Sequence, residues 1–137
     1  MQEGLMEILL CHLVGDYVLQ NHIMATRKTS SWLWATIHSV FYGLPFLLLV
    51  SSWEQWAVIV GTHIIIDRFR IAAWWVDFWG TGKAGWLPTQ IVRLFVPVED
   101  LDEVLPKNAP DWLGVWLLIL VDNTLHMSIN FAVLRWM

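Results

Sequence analysis

The sequence predicts an all-α polytopic membrane protein, four transmembrane helices in a bundle, and three observations carry that prediction. Hydrophobic residues fill 57% of the 137 positions, with eleven Trp among them, and the mean hydropathy is +0.54. These values lie outside the range of an ordinary soluble domain. Lys and Arg are missing from residues 1–26, 29–67 and 108–134, and a helix needs about 20 apolar residues to cross the hydrocarbon. Inside these same apolar stretches lie ionisable residues at helical spacing: His12 and Asp16, His38, His63 and Asp67, Asp122 and His126.

The whole chain, 1–137, reads as a single membrane domain. Helix 1 is expected near 4–24. It has no basic segment before it and carries His12 and Asp16, which argues against a cleaved signal peptide. Helix 2 is expected near 31–50, with Gly43 and Pro45 bending it, since a buried Pro is tolerated in a membrane helix. The polar turn Ser51-Ser52-Trp53-Glu54-Gln55 ends it, and helix 3 follows near 54–76. Helix 4 is expected near 111–135. Between helices 3 and 4, Gly80, Gly82, Gly85, Pro88, Pro97, Pro106 and Pro110 prevent a long helix, leaving a loop over 80–110 with a short interfacial segment near Gln90 to Val96. The acidic run from Glu99 to Glu103 reads as a solvated loop face. Gly80-Thr-Gly-Lys-Ala-Gly lacks the spacing of a phosphate-binding loop.

Charge placement gives an orientation. Arg27 and Lys28 fall in the first connection, and Arg68, Arg70, Lys83, Arg93 and Lys107 at the end of helix 3 and in the third connection. The positive-inside bias then puts 25–30 and 80–110 in the cytoplasm and both termini outside, with Arg135 opposing. Trp32, Trp53, Trp56, Trp74, Trp75, Trp112 and Trp136 sit near the expected helix ends, as an aromatic belt would. The net charge of −4 forms no patch, and nothing in the chain suggests nucleic acid. Cys11 is the single cysteine; it excludes an internal disulfide and reads as a small buried side chain.

Each His/Asp pair is four residues apart, so its members share one helix face one turn apart. Counted inward from the cytoplasmic helix ends, Asp16 lies roughly 12 Å deep, His38 roughly 10 Å, Asp67 roughly 13 Å and Asp122 roughly 17 Å. His12, His63 and His126 lie about a turn deeper. Such residues are costly in a bilayer and persist where they meet each other, an ion, a substrate or water. Seven candidate metal ligands thus converge on one slab: His12, Asp16, His38, His63, Asp67, Asp122 and His126. Imidazole with carboxylate suits zinc first, and also manganese or iron, whereas calcium favours oxygen alone. The set could serve one or two ions, with Asp16 or Asp67 as catalytic base. Gln20 extends the face of His12 and Asp16, and His22 reads as interfacial. A polar clasp between helices and a proton or ion path are the competing readings of the same residues.

His12-Leu-Val-Gly-Asp16-Tyr-Val-Leu-Gln20, Met24-Ala25, Lys28, His38, His63-Ile-Ile-Ile-Asp67-Arg68 and Asp122-Asn-Thr-Leu-His126 together resemble the family of small bacterial and phage membrane proteins called domain of unknown function 3307. Asp67-Arg68-Phe69-Arg70 and Asp122-Asn123 look more like its phage-associated branch. The resemblance implies that these motif positions act as a set, and it implies no reaction.

The function expected from the residues is metal-dependent hydrolysis of a lipid or membrane-embedded substrate in a bacterial inner membrane, with Arg68 and Arg70 placed to meet a phosphate headgroup or to anchor helix 3. The alternatives are a non-enzymatic, phage-type membrane protein that binds a host partner or permeabilises the bilayer, and a small metal or ion transporter. Pairing with a second copy of the chain is left open.

Overall fold

The computed structural model describes residues 4–79 and 111–137, and every regular element in it is helical. Helix α1 spans Leu5–Leu13 and runs directly into a π-helical turn, Val14–Val18. Gly15 sits in that turn because a side chain there has no room: a Cβ would lie 2.6 Å from the Tyr42 carbonyl oxygen. The chain then breaks, and Asn21 starts α2, His22–Arg27, by accepting a hydrogen bond from the Met24 amide at 2.9 Å.

Helix α3, Trp32–Gly43, passes through Leu44 into a 3₁₀ turn at Pro45–Leu48. Pro45 has no N–H to donate, so the α-helical ladder cannot continue through it. Helix α4, Trp53–Phe69, is capped by Ser52, whose hydroxyl accepts from the Gln55 amide, while Gln55 Oε1 accepts from the Ser51 amide at 2.7 Å. This is close to a reciprocal capping box. Trp56 Nε1 donates to the Gly43 carbonyl at 2.9 Å and ties the start of α4 to the end of α3. Arg70 ends α4 in the left-handed conformation, φ 52°. Helices α5, Ile71–Trp79, and α6, Asp111–Trp136, complete the described chain.

The chain divides into two compact units, Met1–Arg70 with Thr124–Met137, and Ile71–Asn123. The first has a core of Ile8, Cys11, Tyr42, Phe46, Ile59 and Val133, and α3 packs along α4 within it. In the second, Trp74 stacks on Phe78 one turn along α5.

The four-span bundle is not what the structure shows. Among the described residues only α6, over Trp112–Trp136, is long and apolar enough to cross a membrane; its 26 residues extend about 39 Å. Each of the other expected spans fails for a local reason. The segment 4–24 breaks after the π turn, where Asn21 caps a new helix. The segment 31–50 changes ladder at Pro45, and its apolar run Trp32–Leu48 stays short. The segment 54–76 turns at Arg70 and carries Glu54, Asp67 and Arg68. The expected features at 80–110, including Gly80-Thr-Gly-Lys-Ala-Gly, Gln90 to Val96 and the acidic run, lie outside the described residues.

Candidate metal centre

Four of the sequence-derived ligands meet inside the first unit. Asp16 comes from the π turn, His38 from α3, and His63 and Asp67 from successive turns of α4; one donor atom of each lies within 4.8 Å of the others. The π turn widens the helix locally, a device often found at functional sites, and it aims Asp16 at α3 and α4.

His38 Nε2 is 3.0 Å from His63 Nε2, 3.1 Å from Asp16 Oδ1 and 3.3 Å from Asp67 Oδ2. His63 Nε2 is 3.2 Å from Asp67 Oδ2 and 4.0 Å from Asp16 Oδ1. A tetrahedral zinc site with bonds of 2.0–2.1 Å has edges of roughly 3.4 Å. The cage has those dimensions, and its members are buried: His38 and His63 are 0% exposed.

Beside the four donors of this cage stands a cation. Lys28 Nζ lies 2.9 Å from Asp67 Oδ2, 3.5 Å from Asp16 Oδ1 and 3.3 Å from His38 Nε2. Even so, among the described residues neither Asp16 Oδ1 nor Asp67 Oδ2 accepts an aligned hydrogen bond. Buried carboxylate oxygens left in that condition call for a stronger partner than the one they have.

The electrostatics follow from these neighbours. Burial alone would raise the Asp16 carboxyl, but the His38 ring and the Lys28 ammonium outweigh it and hold Asp16 well below the usual carboxylate range. Asp67 is held lower still, its burial overcome by His126, His38 and His63. Burial pushes the His63 imidazole down to about 3. His38 goes the other way, because the two carboxylates prevail over its desolvation. Three groups are therefore already in their ligand forms near neutrality, and His38 is the one whose neighbours favour the proton that competes with an ion.

A second layer supports the cage. His126 Nδ1 is 3.1 Å from His63 Nδ1, and His126 Nε2 is 3.5 Å from Asp67 Oδ1. Tyr42 stacks on the His63 ring with centroids 3.7 Å apart. Its hydroxyl accepts from Asn130 Nδ2 and lies 3.0 Å from His12 Nδ1. His12, expected among the ligands, thus faces Tyr42. Asp122 stands one turn before His126 on α6, half-buried and in the other compact unit. Arg68, expected near a headgroup, donates from Nη1 to the Thr29 carbonyl at 2.7 Å and covers the Trp32 ring, while Arg70 is exposed at the helix end. His22 is exposed, Cys11 is buried against the Pro45 carbonyl, and Gln20 Oε1 is buried with no hydrogen-bond partner among the described residues.

Sequence reasoning missed Tyr42 and Asn130, and it named Lys28 only as an orientation charge and as a motif position of the family resemblance. Tyr42 follows His38 by four residues and Asn130 follows His126 by four, so the spacing that exposed the His/Asp pairs also pointed to them. Spacing gave no such signal for Lys28, which lies in a connection; only the family motif set included it.

Residues 5–97 match the family described as a protein of unknown function, DUF3307. The chain belongs to the DUF3307 family. No curated protein and no solved structure matches it. The matched part of this DUF3307 chain contains Asp16, Lys28, His38, His63 and Asp67, and hence the whole cage.

Proposed function

We propose that this protein is a membrane-anchored, metal-dependent hydrolase that holds one divalent ion, zinc first, between Asp16, His38, His63 and Asp67. The observation that carries the reading is the tetrahedral spacing of four buried donor atoms from three segments. When bound, the ion would supply Lewis acidity, polarising an ester, amide or phosphoester and acidifying a water. The chain's own residues divide the remaining work. Asp67, which contacts His38 and His63 through Oδ2 and His126 through Oδ1, is fixed as a ligand. Asp16, at the loose edge of the cage, 4.0 Å from His63, would yield its place on the ion to a water and accept that water's proton. Tyr42 and His126 hold the His63 ring from two sides and keep its Nε2 turned inward.

A lipid or membrane-embedded substrate is supported by the surface around Asp16, where Leu13, Val14, Tyr17 and Val18 are all exposed. Anchoring is supported by α6. Seven of the eight Lys and Arg precede α6, which favours the cytoplasmic side of a bacterial inner membrane for the charged connections, while the cage, packed against His126 of α6, lies at the depth of that helix. With α6 as the one span among the described residues, the arrangement with both termini outside goes with the four-span bundle. A second reading, a polar clasp that needs no ion, draws on Lys28 lying against both carboxylates.

Elemental analysis with a hydrolysis assay decides between them. Protein purified in detergent without chelator should carry close to one zinc, manganese or iron per chain and cleave phospholipid or ester substrates in mixed micelles, with activity lost on chelation. Protein that neither carries nor takes up metal supports the clasp instead. Metal without hydrolysis of any such substrate removes the enzyme and leaves the site.

A further inference from the structure

Lys28 occupies a position that no divalent ion can share with it. Its ammonium caps the triangular face of the cage formed by Asp16 Oδ1, Asp67 Oδ2 and His38 Nε2, at 3.5, 2.9 and 3.3 Å. An ion at the cage centre, about 2 Å from each donor, would lie roughly 3 Å from this ammonium. Like charges that close, at a site this buried, repel strongly. Charge counting gives the same answer: the two carboxylates are neutralised by one divalent ion, and a retained ammonium would leave a buried net positive charge.

We infer that Lys28 is a tethered cation that fills the acidic face of the cage until a divalent ion displaces it. The inference rests on the metal reading of the site. The chain is built for such a movement. Lys28 is the C-cap residue of α2, at the start of the connection to α3, and its side chain is 15% exposed while those of Asp16 and Asp67 are 6% and 3% exposed. The four side-chain carbons can therefore turn the ammonium outward without moving the ligands. The backbone beside it stays tied, because Arg68 holds the Thr29 carbonyl. Until displaced, Lys28 keeps two buried carboxylates from facing each other uncompensated, and it lowers the apparent affinity for any ion by the fraction of molecules in which it occupies the face.

The test is competitive amine acylation of the full-length protein in detergent, read by mass spectrometry, with chelator or with zinc and with bound zinc measured in the same samples. Lys83 and Lys107, the other two lysines, serve as internal references. Zinc should speed labelling of Lys28 relative to them by about tenfold or more, and Lys28→Met should tighten zinc binding by a comparable factor. If zinc binds and Lys28 labelling is unchanged, the ammonium stays put and the inference fails. If zinc binds and labelling slows, Lys28 has lost its proton and joined the ligands, which also overturns it. If no zinc binds to either protein, the metal reading itself fails and takes the inference with it.

Discussion

Two histidines of the cage differ in what they ask of an incoming ion. His63 is pushed down to about 3, so its ring is neutral throughout the physiological range and offers a lone pair at no proton cost. Asp16 and Asp67 are held below the usual carboxylate range and are likewise ready. His38 is raised above 6.5; below its shifted value it is protonated in the ion-free protein, and binding must expel that proton. Zinc affinity is therefore weak on the acid side and rises with pH until His38 has titrated, by about tenfold per pH unit for one competing proton. Isothermal titration of zinc between pH 6 and 8 in two buffers of different ionisation enthalpy checks this. A flat profile, or the release of two protons, would contradict the assignment. The His/Asp pairs were legible in the sequence because an i, i+4 spacing needs only one intact turn. The role of Lys28 was not, because its place depends on how the connection after α2 folds back over the cage.

Helix positions were legible for the same reason in part, since the apolar runs at 31–50 and 111–135 set the start of α3 and both ends of α6 to within a few residues, while α3 itself stops at Gly43. The interruptions were legible only in part. Pro45 announces its break through the missing N–H. The π turn at Val14–Val18 and the left-handed Arg70 have no signature in residue type, because both are imposed by packing and turn geometry beyond the local sequence. Gly15 shows how the π turn is held. A methyl group there would meet the Tyr42 carbonyl oxygen at 2.6 Å and its Cα at 3.0 Å, both backbone atoms that cannot swing aside. Gly15→Ala should cost about 1–3 kcal/mol and weaken zinc binding, because Tyr42 carries the His63 ring. Gly61→Ala is the matched control: nothing lies within 4 Å of its added Cβ, and within α4 it should be neutral or stabilising by up to about 1 kcal/mol. Thermal melting of both variants in detergent, with and without zinc, checks the pair. Equal melting of Gly15→Ala and the parent would show that the π turn does not depend on this contact.

At the scale of the molecule, composition pointed correctly to a chain with a span-length apolar helix and overcounted the spans, because a window of hydrophobic residues does not reveal where a helix stops. Apolar surface is nonetheless plentiful. Leu5, Met6, Leu10 and Val18 are exposed in the first segment, and Trp112, Val115, Trp116 and Leu120 along α6. Soluble proteins rarely expose so much without a partner or a bilayer to cover it. The chain expressed in bacteria should sediment with membranes and resist extraction at alkaline pH, with detergent required for its release. Recovery in the supernatant after an alkaline wash would remove the membrane anchor from the proposal while leaving the cage untouched.

X-ray absorption at the zinc edge of the zinc-loaded protein tests the cage itself. The account predicts a shell of about four nitrogen and oxygen donors near 2.0–2.1 Å, with the outer-shell scattering of two imidazoles and no sulfur. Loss of one imidazole from that pattern in His63→Ala, and an unchanged pattern in His22→Ala, would place the ion on the residues named. A sulfur contribution, which only Cys11 or a methionine could supply, or a water-only shell unaffected by either substitution, would contradict the account.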